Sequence, residues 1–353
     1  MKVMSGENPN TTNEFLSKPL SSIEVKERKI SDLLSAMSLT GFQGRKLGEA
    51  VDAWVNALQD EDVVIMMGYA GSLSTTGQWR IIKWLIENRY IDVLISTGAN
   101  ITEDIIEAMG HKYWRGSPYV DDDVLRKRGI YRFYDVYVKE SDYISMEKML
   151  ADFMLTLSDK RVLTSPELLY LLGKWLDKRG VNGIVTTASR NNVPIFCPAI
   201  VDSGFGVAYI YNRYRNKEFS LLVDQFKDYE LLVRIKSSVK DSAVIFIGGG
   251  VPKDFIQLSA VAVDLLLSGN YYQSRPHKYA IQITVDSPHW GGLSGATLEE
   301  GKSWGKESKE GMNVQCFCDA TIALPLIAHS LLERVKYPRK GPDLSWIFSS
   351  VTQ

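Results

Sequence analysis

Short apolar runs alternate with helical patterns along most of the chain, and this alternation limits the fold more than any other feature. Residues 63–67, 91–95, 183–187, 195–200, 243–247, 279–285 and 314–317 read as strands. They average about five residues and are mostly apolar, as strands covered on both faces are. Between them, Trp79, Ile82 and Leu85 mark one helix and residues 103–109 another. The pattern predicts βαβ units. That means an α/β fold with a mainly parallel, doubly wound (Rossmann-like) sheet and helices on both faces.

The first 60 residues stand outside this pattern. Residues 1–20 are polar, rich in Asn, Ser and Thr, and read as a flexible tail. Residues 21–60 read as an N-terminal helical arm. Ser31 is placed to cap a short helix carrying Leu33, Leu34 and Met37, and Thr40-Gly41 breaks it. A second helix then sets Leu47, Val51, Trp54, Val55 and Leu58 three and four residues apart. Such a pair would pack on the body or on a neighbouring subunit. Residues 61–340 form the body and 341–353 a C-terminal tail. Residues 121–145, charged and aromatic with weak periodicity, read as an insertion or a surface segment.

Composition excludes several classes. With 24% charged residues and a net charge of −1, the chain has no basic surplus for nucleic acid or an anionic membrane. No apolar run reaches the roughly 18 residues of a membrane span, and the N-terminus lacks a signal peptide's apolar stretch. Three cysteines cannot build a disulfide framework, and the four histidines are scattered, with no zinc spacing. Cys316 and Cys318 would face the same side of a strand, as two buried small hydrophobes. A cytoplasmic protein without a metal site is the expectation.

In an open parallel sheet, ligands bind beyond the carboxyl ends of the strands. Here those ends carry Gly71-Ser72-Leu73-Ser74-Thr75-Thr76-Gly77, Ser96-Thr97-Gly98 and Gly248-Gly249-Gly250. Small residues admit a pyrophosphate, and a helix N-terminus attracts it. Tight turns between strands and helices explain the glycines as well, since neither G-x-G-x-x-G nor a P-loop is present. Glu103, Asp202, Asp254, Asp286, Glu300 and Asp319 also fall in loops or near helix starts. They suit ribose hydroxyls or a cationic substrate, or they cap helices. Lys306, in Ser303-Trp304-Gly305-Lys306, is either a surface lysine or a nucleophile whose ammonium is desolvated by Trp304.

Ser294-Gly295-Ala296, Glu300, Ser303-Trp304-Gly305-Lys306 and Asp319-Ala320, in this order, resemble the C-terminal signature of deoxyhypusine synthases. Thr40-Gly41-Phe42-Gln43, Gly68-Tyr69, Asp92-Val93-Leu94, Glu103-Asp104, Asp202 and the glycine triplet extend the resemblance over residues 31–328. It implies oxidation of spermidine with NAD, then transfer of the 4-aminobutyl group through a lysine-linked imine to an acceptor amine. In deoxyhypusine synthases proper the acceptor is a lysine of a translation initiation factor precursor; similar relatives use small amines and form homospermidine. It also implies a homotetramer with active sites at a subunit interface.

Carried over by motif, Lys306 is the nucleophile. Trp304, Ser303, Glu300 and Asp286 bind the amine substrate, while Ser72, Thr75, Thr97, Glu103, Asp202, Asp319 and Ala320 hold NAD. Three positions depart from the family pattern. Asp254 stands where the family has a histidine, and would anchor or deprotonate an amine. Val207 and Leu293 replace two aspartates that bind polyamine. A small-amine acceptor such as putrescine is therefore slightly favoured over a protein lysine. A polyamine dehydrogenase or lyase on the same frame remains an alternative.

Overall fold

The computed structural model describes residues 16–157, 161–269, 274–337 and 339–352. Its centre is a sheet of six parallel strands: β1 (Val63–Tyr69), β2 (Val93–Ser96), β3 (Ile195–Phe196), β4 (Asp241–Ile247), β5 (His277–Thr284) and β6 (Glu307–Phe317). Their order across the sheet is β6-β5-β4-β1-β2-β3, which is the doubly wound order with its reversal between β1 and β4. Tyr69 pairs with both Ser96 and Ile247, so the carboxyl ends of the central strands are level.

The central strands serve two cores. Along β1, Val63, Ile65, Met67 and Tyr69 enter one core, while Val64 and Met66 enter the other. Helices Phe42–Gln59, Trp79–Glu87, Gly98–Ala108 and Ala320–Arg334 cover the first face. Leu232 and Ile235 of helix Gln225–Ser237 and Ile256 of helix Gly250–Gln257 cover the second. No helix among the described residues is long and apolar enough to cross a membrane.

Several expectations need correction. Residues 183–187 are not a strand but part of helix Ile184–Arg190, buried throughout its apolar part. Its first N–H is accepted by Asp104 Oδ2 at 2.6 Å, a distant group doing the work of a local cap. A buried apolar run has no face to reveal its period. The strand expected over 195–200 is only Ile195–Phe196, since Pro198 cannot continue a ladder. Residues 121–145 lie largely at the surface and carry regular structure: Ile130–Phe133 and Val136–Lys139 form an antiparallel hairpin, extended by Trp114–Arg115.

The termini differ too. Residues 1–15 of the expected tail lie outside the described residues, and 16–20 are exposed. Ser31 is not a cap; it lies inside helix Ile30–Ser38 and donates its backbone N–H to Glu333 Oε2 at 2.7 Å. Of the two packings open to the helical pair, the second helix takes the one on the body. Leu47, Val51, Trp54, Val55 and Leu58 are all buried in the first core, and only Phe42 at its start is fully exposed. Within the expected C-terminal tail, 341–353, the described residues 341–352 pack on the body: Leu344, Ile347 and Phe348 are buried in the second core and Phe348 stacks on Tyr170.

Candidate active site

A cavity of about 1060 Å³ opens at the carboxyl ends of the sheet. Its walls come from the loop after β1, the glycine triplet after β4, and residues 283–286 at the end of β5. The position follows from topology: loops on either side of the β1/β4 reversal run apart and leave a crevice. Helices Gly98–Ala108, Gly204–Arg215, Gly250–Gln257 and Ala320–Arg334 all begin at its rim. Their free N–H groups make this end of the sheet a place for anionic groups such as a pyrophosphate. Gly249 is required there: a side chain on it would collide with the backbone of Ser294.

Ser72, Thr75, Thr97, Asp202, Asp286, Asp319 and Ala320 all line this cavity. Some also have local work. The Thr97 hydroxyl accepts from Asn100 N, and Asp319 caps helix Ala320–Arg334 by accepting from Thr321 N at 2.7 Å. Glu103 is not among the lining residues. It is 2% exposed, its Oε2 has no hydrogen-bond partner, and burial pushes its carboxyl up to about 7. Cys318 lies beyond the end of β6, half-buried and lining the cavity, whereas Cys316 is buried.

Of the amine-binding candidates Asp286 lines this cavity, whereas Lys306, Asp254, Glu300, Ser303 and Trp304 are not among its lining residues. Lys306 Nζ donates to Asp254 Oδ1 at 2.7 Å, and the lysine side chain is 12% exposed. Asp254 sits two residues beyond Pro252, which lines the cavity, on helix Gly250–Gln257. Trp304 is not a buried wall; it is 65% exposed, with its ring centroid 5.4 Å from Lys306 Nζ in a cation–π contact. Glu300 and Ser303 occupy the short helix Leu298–Ser303, where the Ser303 hydroxyl donates to Glu300 O. Asp286 accepts from the Ser294 hydroxyl.

Three features were missed from sequence. Lys253 is 1% exposed; it donates to Gln282 Oε1 at 3.0 Å and to the carbonyls of Leu293 and Ala296, tying the loop after β5 to the sheet. Burial pushes its amine down to about 8. Glu307 is buried next to Lys306. The hairpin tip, Phe133 to Val136, forms one wall of the cavity.

The deoxyhypusine synthase family model matches residues 32–331. The chain belongs to the deoxyhypusine synthase family. It is 43% identical to the probable deoxyhypusine synthase 2 of Methanosarcina mazei over 337 residues, 95% of this chain and 96% of that one. It is 45% identical to the Archaeoglobus fulgidus probable deoxyhypusine synthase 2, covering 86% of this chain and 98% of the relative. The deoxyhypusine synthase-like protein of Chlorobaculum tepidum is 35% identical, with 89% of each chain covered. A crystal structure of a candidate deoxyhypusine synthase from Entamoeba histolytica shares the fold. It has a TM-score of 0.64 at 19% identity, covering 90% of this chain and all of that one. Family membership supports an aminobutyl transferase role.

Proposed function

We propose that this chain is a cytoplasmic, NAD-dependent transferase that moves the 4-aminobutyl group of spermidine, or of a related polyamine, through an imine on Lys306 to an acceptor amine. The observation that carries the reading is the 2.7 Å ion pair between Asp254 and Lys306, the lysine of the family's Ser303-Trp304-Gly305-Lys306 signature. A lysine must shed a proton before it can attack, and Asp254 is within proton-transfer reach of its Nζ.

The cavity suits NAD: helix N-termini converge on it, the glycine triplet permits close approach, and Asp202 and Asp319 offer carboxylates to ribose hydroxyls. Bound there, NAD would supply the two-electron acceptor for the donor amine and, once reduced, the hydride for the product. The residues of this chain do the rest. The Lys306 amine attacks the oxidised donor carbon, Asp254 takes its proton, and 1,3-diaminopropane leaves. Trp304, Glu300, Ser303 and Asp286 hold the ammonium groups of the substrate. The acceptor amine then displaces Lys306 to give the new imine.

For the acceptor we favour a small amine such as putrescine. Each buried ammonium needs an anion, and Val207 and Leu293 provide none where the family has aspartates. Incubation with NAD, spermidine and a panel of amines, followed by mass spectrometry, is expected to give homospermidine and equimolar 1,3-diaminopropane. Faster transfer onto an initiation factor precursor than onto putrescine would instead make the chain a deoxyhypusine synthase proper. Release of 1,3-diaminopropane at the full rate without an acceptor would make it a lyase.

We also propose a homotetramer with active sites at a dimer interface. Val207, Ile210 and Tyr214 leave an exposed apolar stripe on helix Gly204–Arg215, which starts at the cavity rim. A stripe of this kind beside a site calls for a partner surface. Sedimentation at micromolar concentration is expected to show a tetramer, and a stable monomer would sink the proposal.

A further inference from the structure

Beneath Lys306 lies a polar layer that the reaction outlined above leaves unused. Glu307 is 2% exposed, and its Oε1 accepts from Gln257 Nε2. Gln257 is itself 3% exposed and lies one turn beyond Lys253 and Asp254 on helix Gly250–Gln257. Glu307 Oε2 has no hydrogen-bond partner. It lies against the backbone of Gly301, where any side chain would collide with it. Gly301 O in turn accepts the Lys306 N–H at 3.0 Å, and Lys306 O accepts from His277 N at 2.8 Å. One carboxyl therefore touches both helices that frame Lys306.

Packing alone does not call for an acid here. A buried carboxyl with an unpaired oxygen is destabilising, and an apolar side chain of similar size would avoid that cost. The charged groups around Glu307 are Lys253 and Asp254 from helix Gly250–Gln257 and Lys306, the residue before its strand; Glu300 of helix Leu298–Ser303 acts on Lys253. We propose that Glu307 is a positioning residue for Lys306, a buried counter-charge that offsets the change of charge at the amine during the reaction; this rests on the reading of Lys306 as nucleophile.

The charge arithmetic is simple. While Lys306 is an ammonium, the carboxylates of Asp254 and Glu307 face two cations, Lys306 and Lys253. When Asp254 takes the Lys306 proton, both become neutral, and the Glu307 carboxylate stays balanced by Lys253. When a protonated imine forms on Lys306, a positive charge appears beside the now neutral Asp254, and the Glu307 carboxylate is the buried anion left to offset it. Burial pushes Glu307 up to about 7, so both of its states are accessible near neutral pH.

The test is Glu307→Gln, which keeps the shape and an acceptor for Gln257. The lysines are methylated with ¹³C-formaldehyde and a hydride reagent, and Lys306 is assigned by its absence from the Lys306→Arg spectrum. Above neutral pH an ionised Glu307 favours the ammonium. Its loss is therefore expected to move the Lys306 midpoint down by roughly half a unit, about threefold more free amine at a given pH. An unchanged midpoint overturns the inference.

Borohydride trapping with spermidine and NAD, followed across pH, separates the two ideas. The wild-type rate is expected to carry an inflection near the Glu307 value of about 7 that Glu307→Gln lacks. Trapping at Lys306 with coincident profiles sinks the role of Glu307 and leaves the nucleophile standing. A midpoint shift without trapping at Lys306 sinks the nucleophile, and the role of Glu307 with it. Should Glu307→Gln not fold by circular dichroism, Gln257→Leu replaces it. Removing that hydrogen bond disfavours the carboxylate, so the inflection should move to higher pH, and a stationary one overturns the proposal.

Discussion

Lys306→Arg is expected to abolish aminobutyl transfer, by roughly 10³-fold or more, while the protein stays folded and binds NAD as the wild type does. Arginine can keep an ion pair with Asp254, but a guanidinium does not surrender its proton and cannot become the attacking amine. Lys306→Ala should be equally inactive, with a stability loss added, because Asp254 is 28% exposed and would lose its cation. The arginine variant is therefore the cleaner test of chemistry. Product analysis measures transfer and calorimetric titration measures NAD binding. Borohydride with spermidine and NAD is expected to attach the aminobutyl group to Lys306 in the wild type and to no lysine in either variant. Transfer at the wild-type rate in either variant removes Lys306 from the mechanism.

How much of this could be read beforehand depends on what each residue answers to. The main strands were legible because their apolarity comes from the sheet itself: β1, β4 and β5 are covered on both faces and need no partner to justify their sequence. Helix Ile184–Arg190 was misread for a related reason. Ile184, Val185, Thr186 and Thr187 are all buried, so β-branched composition was the remaining local signal, and the contact that sets the helix start comes from Asp104, 80 residues earlier. The hairpin at 130–139 was hidden by its size, since strands of four residues with a half-exposed pattern carry almost no period.

The site divides in the same way. The cavity residues were legible by topology, because small and hydroxyl residues cluster where strands end. The pairing of Lys306 with Asp254 was not, for 52 residues separate them and only the β5–β6 crossover brings them together. Lys253 and Glu307 gave no local sign of burial. A lysine in a helix and a glutamate after it in a strand read as solvated until their partners, Gln282 and Gln257, are in place. Glu103 differs again: a motif match carried it over as a cofactor contact, and the fold buries it inside its helix, away from the cavity lining.

Trp54→Ala is expected to cost about 3–5 kcal/mol of stability, whereas Phe42→Ala, on the same helix, should stay within about 0.5 kcal/mol. The contrast decides whether the N-terminal helical pair is an appendage or part of the body. Trp54 is fully buried among the strands and helices of the first core, and its indole N–H donates to Tyr90 O at 3.3 Å. Truncation therefore opens a large cavity and leaves the Tyr90 carbonyl without that donor. Phe42 is 95% exposed and touches no core. Urea unfolding at one fixed protein concentration reads both, because linked assembly would otherwise shift the midpoints. The two variants also separate fold from assembly. A partner subunit gripping the start of this helix would make Phe42→Ala loosen the oligomer in sedimentation while leaving the unfolding of the protomer unchanged. Wild-type stability in Trp54→Ala would contradict the packing seen here and return the helix pair to the status of an arm.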